Sequence, residues 1–469
     1  MLSPAPVVKV ALVGPKGDGI VRASGPFDTP RPLAEDGRLT MEREADVVVV
    51  GAGIVGCATA YFLARRGARV VVVERAPVPG EQSRKNWGFV RQQGRDPLEV
   101  PLVMEANRLW QGLERELGAD VEWVQGGNLA LAADDTRMAR FEEWLPVARE
   151  FGLATRLLRA RDLGAVVPGL AGGWVGGMHT PGDGHADPEK ATDAFARASV
   201  AHGAILHLQC AVQGVTTQSG AVSGVVTEHG EIRTPTVVCA AGAWSARLVR
   251  TLGLDLPQRW VRGTVAHTTP APAATTCAVW GPGVAFRQRR DGSFTIAAGG
   301  ALDHDVTLDS LRQLRFFMPN YWRNKALFRF HVGRPLLASL TAALPGSAAR
   351  RRPLVWDRGL EPPPNPAKVR RSLAELQRVL PSLPPLGIAS RWAGYIDAAP
   401  DLVPVIGEVP QIRGFVLATG FSGHGFAMGP IIGRLVSELI VDGKPSLDIA
   451  GFRFSRFAEG AIGKPRNVL

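Results

Sequence analysis

Six consecutive residues, Gly51-Ala52-Gly53-Ile54-Val55-Gly56, set glycines at the first, third and sixth positions of a short loop. Without side chains there, a backbone can turn sharply, approach a pyrophosphate and let a helix pack closely on a strand. The helix that follows turns the positive end of its dipole toward the phosphates. Glu74 lies 74 − 56 = 18 residues beyond Gly56, where an acidic side chain accepts from a ribose hydroxyl. A second glycine-rich run, Ala418-Thr419-Gly420-Phe421-Ser422-Gly423-His424-Gly425-Phe426, stands near the other end of the chain. Cys57, Cys210, Cys239 and Cys277 are widely spaced and none forms C-x-x-C. They predict isolated buried thiols in a reducing compartment, with no disulfide framework and no metal site.

The elements needed to position these residues are present. Val47–Val50 is apolar and β-branched throughout, as a strand buried on both faces requires. A helix follows from Cys57 to Arg66, Gly67 stops it, and Arg69–Val73 forms the second strand of a βαβ unit. Val47–Ala64 is also an uncharged run of membrane-spanning length, but its glycines and β-branched start fit strand, turn and helix. Pro101–Leu117 has amphipathic helical spacing, and Pro188 opens another helix that runs to Ala201. Strands are expected at Val121–Val124, Asn128–Leu131, Ala204–Val212, Val222–Val226 and Thr236–Ala240, with mixed strands over 256–300. Lys368–Leu380 reads as a helix, and a closing helix is expected from about Pro430 to Leu439.

These elements predict an α/β fold with a discontinuous Rossmann-type domain and an inserted mixed β-sheet domain. The dinucleotide domain is expected over 46–105, 185–255 and 395–445. The inserted domain takes 106–184 and 256–394, with a basic and aromatic insertion at about 305–360, and 1–45 forms an N-terminal extension. That start carries no basic segment before an apolar core, so no signal peptide is read. With 469 residues, 45% hydrophobic and 21% charged, the chain has the composition of a globular protein of two or three domains. A net charge of +11 favours anionic partners, yet no basic run with interleaved aromatics points to nucleic acid. Apolar residues mixed with arginines over 311–345 suit either a peripheral membrane contact or a domain helix with snorkelling arginines. The expected location is cytoplasmic, with peripheral contact at the inner membrane left open.

Taken in order, the first motif with Gly80-Glu81-Gln82-Ser83, the central Cys239-Ala240-Ala241-Gly242-Ala243-Trp244-Ser245 and Ala418–Phe426 resemble the D-amino-acid oxidase superfamily. That superfamily includes glycine oxidase, sarcosine oxidase and bacterial amino-acid dehydrogenases. The resemblance is greatest to membrane-associated L-amino-acid deaminases, through Gly80–Ser83, Ala211-Val212, Phe286-Arg287 and the long insertion before Trp392. It implies FAD as cofactor, oxidation of a CH–NH bond in an amino acid or amine, and O2 or a respiratory quinone as electron acceptor. It also implies cofactor contacts from Gly51, Gly53, Ile54, Val55, Gly56, Glu74, Arg75, Gln82, Ser83, Gly88 and Phe89. Val212, Ala241, Gly242, Trp244 and Gly394 join them, and Gly423, His424, Gly425 and Phe426 bring a helix N-terminus under the flavin. No cysteine follows Cys277, which implies a non-covalent flavin.

Arg91 stands eight residues beyond Ser83, where sarcosine-oxidase-like enzymes carry an arginine for the substrate carboxylate. Arg287 and Arg262 are the alternatives for that clamp. Tyr395 and His424 are the other pocket candidates. Two departures weaken the match to any one member. Ala393-Gly394-Tyr395-Ile396 lacks the arginine of glycine-oxidase-like enzymes, and Ala427 stands where sarcosine oxidase has a lysine. Three readings therefore stay open: an amino-acid dehydrogenase or oxidase, an enzyme for secondary amines such as N-methyl or N-carboxyalkyl amino acids, and a flavin-bearing assembly factor for respiratory complexes.

Overall fold

A computed structural model describes residues 42–299, 302–324, 328–347 and 361–466. Most of the expected extension, and Arg350-Arg351-Arg352 of the insertion, lie outside the described residues. One six-stranded sheet runs in the order Val405–Glu408, Phe415–Thr419, Thr236–Cys239, Val47–Val50, Val70–Val73, Ile205–His207. All neighbours pair in parallel except the first two, which are antiparallel. Val47–Val50 sits at the centre and every residue of it is buried, so each valine contributes roughly 1.5–2 kcal/mol of apolar burial. Three distant parts of the chain thus share one sheet, as the discontinuous reading requires.

Helices cover one face of this sheet. The nucleotide helix, Ile54–Arg65, packs between Pro188–Ala201 and the closing helix, Gly425–Asp442. A Cβ at Gly433 would lie 2.5 Å from the carbonyl carbon of Ala58, and one at Gly429 would lie 2.9 Å from Ile54. The two helices therefore touch almost backbone to backbone. The closing helix starts five residues before the expected Pro430. That proline sits inside the helix and forfeits one backbone hydrogen bond there.

The expected boundary after residue 105 is corrected by the helix Val100–Leu117, which it would cut in two. Leu102, Val103, Ala106, Trp110 and Leu113 bury together with the nucleotide and closing helices, and Trp110 donates to the Ala427 carbonyl at 2.8 Å. Most of the amphipathic stripe faces the dinucleotide domain, while Val100 in its first turn packs with Ala130, Phe141 and Trp144 of the second. Val121–Val124 is also not a strand. Val124 makes one bridge to His185, and Val121 is buried in the same core.

The second domain is built on a ten-stranded mixed sheet. Its long strand Arg259–Thr268 pairs with Ile388–Ala398, returning the chain to the first domain beside the closing helix. Asn128–Ala132, Ala278–Trp280 and Phe294–Ala297 belong to the same sheet. Within the insertion, Leu302–Asp305 and Phe328–His331 extend its edge, and short helices Leu308–Arg312 and Leu314–Asn324 lie between them.

Candidate active site

One cavity of about 1670 Å³ runs between the two domains. Small-molecule pockets usually occupy about 300–1,000 Å³, so this volume suits a large cofactor together with a second ligand. Gly51, Gly53, Ile54, Val55, Glu74, Arg75, Gln82, Ser83, Phe89, Val212, Ala241, Gly242, Trp244 and Gly394 line it. So do Gly423, His424, Gly425, Phe426, Arg91 and Tyr395. The sequence-predicted residues, scattered over more than 370 positions, thus converge on one space.

Gly51 has φ +105, a left-handed conformation, and a Cβ there would lie 2.5 Å from the Ala240 carbonyl oxygen. A Cβ on Gly53 would lie 2.9 Å from the Ser83 hydroxyl oxygen, at the mouth of the nucleotide helix. That hydroxyl accepts from the Ile54 amide at 2.8 Å, and no side chain caps the helix from Gly53 itself. Glu74 accepts from the amides of Ala52 and Ala76, both at 2.8 Å, which anchors its carboxylate at the cavity edge. Arg75 stacks over the Trp244 ring at 3.8 Å. The closing helix likewise begins at Gly425 with no side-chain cap. The bare loop, the nucleotide helix start with Ser83 beside it, the uncapped start of the closing helix and the anchored carboxylate fit the phosphates, ribose and flavin edge of a dinucleotide cofactor.

Gly56 and Gly88 do not line the cavity. A Cβ on Gly56 would collide with the Gly51 carbonyl oxygen at 1.9 Å, so it packs the helix onto the turn. Gly88, with φ +82, makes room for Arg287, whose Nε would lie 2.6 Å from such a Cβ.

The alternative clamp residues are corrected in the same way. Arg287 is buried off the cavity wall and donates to the Trp87 carbonyl at 2.7 Å. Arg262 pairs with Asp305 at 3.5 Å and also stands off the wall. Arg91 is on the wall. Its Nη1 donates to the Gln93 carbonyl at 2.6 Å, and its guanidinium lies 5.5 Å from the centre of the Trp280 ring. Among the described residues no carboxylate comes within ion-pair distance of it. Burial, and then the neighbouring Arg95, push its basicity well below the ordinary arginine value. A buried guanidinium in that position gains from an anion more than an exposed one would.

His424 is buried just before the closing helix, and its Nδ1 lies 3.0 Å from Oε1 of Glu99. Burial, and then Arg95, push the imidazole down to about 4, so it is neutral at pH 7. Burial works against ionised Glu99, but the His424 ring and Arg95 still hold it below the usual carboxylate range. Tyr395 packs its ring 4.8 Å from that of Trp260. Asp397, on the same strand, accepts from Gln82 Nε2 at 3.0 Å and the Gly420 amide at 2.9 Å, tying the first and last motifs together.

The sequence reading missed Arg95, Arg137, Glu99 and Asp397. Arg95 follows Arg91 by four residues, and that pairing was its only available signal. Glu99 and Asp397 act on residues more than 300 positions away, which spacing along the chain cannot reveal.

Residues 46–439 match the family described as FAD dependent oxidoreductase, and the chain belongs to that family; FAD is its cofactor. It is 29% identical to the glycine oxidase of Pseudomonas aeruginosa over 87% of this chain and 97% of that protein. Mitochondrial sarcosine dehydrogenase of Mus musculus is 26% identical over 88% of this chain, which spans only 41% of that longer protein. The fold superposes on L-amino acid deaminase from Proteus myxofaciens, in complex with anthranilate, with a TM-score of 0.83 at 28% identity. That match covers 92% of this chain and 97% of the deaminase. No described helix is long and apolar enough to cross a membrane.

Proposed function

We propose that this protein oxidises the CH–NH bond of an amino acid or a related amine to an imine. FAD, when bound, supplies the two-electron acceptor that takes the hydride. The observation that carries the reading is Arg91: a buried arginine on the cavity wall with no carboxylate partner among the described residues. Its planar fork would hold the substrate carboxylate, fixing the α-carbon over a single position in the cavity. Neutral His424 and the uncapped start of the closing helix supply donors on the adjoining wall. Loss of the hydride leaves the nitrogen lone pair to form the C=N bond, and water then releases the oxo acid and the amine. Glycine oxidase and L-amino acid deaminase, the similar proteins named above, support the amino-acid reading. Sarcosine dehydrogenase supports the secondary-amine alternative.

Anaerobic mixing of the holoprotein with L- and D-amino acids and their N-methyl forms tests this directly. Bleaching of the flavin absorbance by at least one of them is expected. No bleaching by any amine would sink the oxidation reading and favour a flavin-bearing scaffold. Attachment of FAD is proposed to be non-covalent, because none of the four buried cysteines lines the cavity. Acid precipitation should leave all flavin in the supernatant.

The insertion is proposed as a peripheral contact for an anionic membrane, where a quinone could take the electrons. Its apolar residues stand exposed beside arginines: Trp322 at 63%, Val332 at 75% and Leu337 at 64%, near Arg329 and Arg334. Co-sedimentation with phosphatidylglycerol vesicles, lost at high salt and in Leu337→Glu, is the expected result.

A further inference from the structure

We propose that Arg95 and Arg137 form a second carboxylate subsite beside Arg91, so that the cavity prefers amines carrying two carboxylates. The proposal rests on the reading of Arg91 as the first carboxylate's partner and narrows the substrate class it admits.

Arg95 is only 2% exposed and belongs to the cavity wall. Its backbone is fixed, since Trp144 Nε1 donates to the Arg95 carbonyl at 2.8 Å. Its Nε donates to the Arg91 carbonyl at 3.3 Å, which folds the side chain back along the wall. Its Nη1 is buried and has no hydrogen-bond partner. Buried guanidinium donors are rarely left unused in a folded protein, and each one so left calls for an explanation.

Arg137 reaches the same wall from the first turns of the helix Asp135–Glu150, with its guanidinium 5.2 Å from the centre of the Phe141 ring. Arg95 and Arg137 both lower the basicity of Arg91, so three guanidiniums share one neighbourhood. The nearby carboxylates mostly hold other groups, although Oε2 of Glu99 has no hydrogen-bond partner. Asp183 accepts from the amides of Gln92 and Gln93 and from the Gln92 side chain. Glu99 holds His424, and Asp134 accepts the Arg137 amide as the helix cap. Glu143 and Arg140 also line the cavity. Among the described residues, no carboxylate comes within ion-pair distance of Arg91, Arg95 or Arg137. Glu99 and Asp183 act on Arg91 and Arg95, and Asp134 on Arg137, only from beyond ion-pair distance, so a substrate with a second carboxylate would make a direct contact that none of them makes. The second carboxylate has two possible sources: an acidic side chain on the amino acid, or a carboxymethyl group on its nitrogen.

The test begins with ligands that cannot be oxidised. Calorimetry on the flavin-loaded protein should show glutarate binding about tenfold tighter than butyrate, the size expected of one added charge-assisted contact. Arg95→Gln and Arg137→Gln should each bring that ratio down to about threefold or less. Arg137 lies nearer solvent, so its variant keeps the test decisive if Arg95→Gln fails to fold. Glutarate and butyrate within twofold of each other in the unaltered protein would overturn the proposal, as would a ratio unchanged in the Arg137 variant. Anaerobic bleaching by glutamate and aspartate, set against N-carboxymethylglycine, then separates the two sources, and either preference supports the subsite. If the glutarate preference is present but no amine bleaches the flavin, the subsite stands and the oxidation reading fails. If only monocarboxylate amino acids bleach it and glutarate gains nothing, the oxidation reading stands and the subsite fails.

Discussion

The two ends of the cavity treat their polar side chains differently. At the nucleotide end, Glu74 holds two backbone amides, Ser83 holds one, and Gln82 joins Asp397 to the Ala243 amide. At the other end Arg91, Arg95 and Arg137 face the cavity with no carboxylate partner among the described residues. The first end is pre-organised by its own backbone, and its shape is set before any ligand arrives. The second lacks direct ion pairs, and on the reading proposed above a substrate anion completes it. A shared cofactor site can be fixed in this way, whereas a substrate site must leave its decisive charges free.

Breaking the pre-organised end should have the largest effect. Gly53→Val puts a branched side chain where even a Cβ lies 2.9 Å from the Ser83 hydroxyl, at the mouth of the nucleotide helix. Complete loss of the yellow chromophore from the purified protein is expected, with far-ultraviolet circular dichroism retained. Full flavin content in this variant would remove the pyrophosphate assignment.

The unfinished end should respond in a graded way and leave the cofactor in place. Arg91→Ala should lower kcat/KM for amino acids by roughly 10²–10³-fold while flavin content stays constant. It should also abolish the preference for an amino acid over the corresponding amine without a carboxylate. A variant that keeps this preference would return Arg91 to a structural role.

The smallest effect lies between the two ends, at His424. Its folded value of about 4 is depressed from an ordinary 6.5, so its contribution to stability is present above pH 6.5 and lost as pH falls toward 4. Between pH 6.5 and 5 that loss should be on the order of 1–2 kcal/mol. Thermal unfolding of His424→Asn should show a correspondingly shallower fall over the same range. Equal slopes would mean that burial, Arg95 and Arg91 do not hold the ring neutral against the opposing pull of Glu99.

The same contrast explains what the sequence could reveal. Gly51–Gly56, Glu74 and Ser83 lie within one βαβ unit, where spacing along the chain stands for distance in space. The helix Pro188–Ala201 was readable to the residue because a proline and an aspartate mark its start. At the substrate end only Arg91 carried such a signal, through its place eight residues beyond Ser83. Arg137 lies on a helix among charged residues, Asp135 and Arg140, and reads there as an ordinary surface position. Glu99 meets His424 only because the Val100–Leu117 helix crosses to the closing helix. The boundary after residue 105 failed for a related reason. Amphipathic spacing shows that a helix has a buried stripe, but not which domain that stripe faces.

The close contact of the closing helix with the nucleotide helix has a mechanical consequence. Both helices end on the cavity, one at the pyrophosphate loop and one at the proposed flavin edge. With Gly433 set against Ala58 and Gly429 against Ile54, neither can slide without carrying the other. The pair behaves as a fixed caliper whose jaws grip the two ends of one elongated guest. Residues on the facing sheet can therefore drift in size and charge, and redirect the chemistry, while the gap between the jaws stays the same.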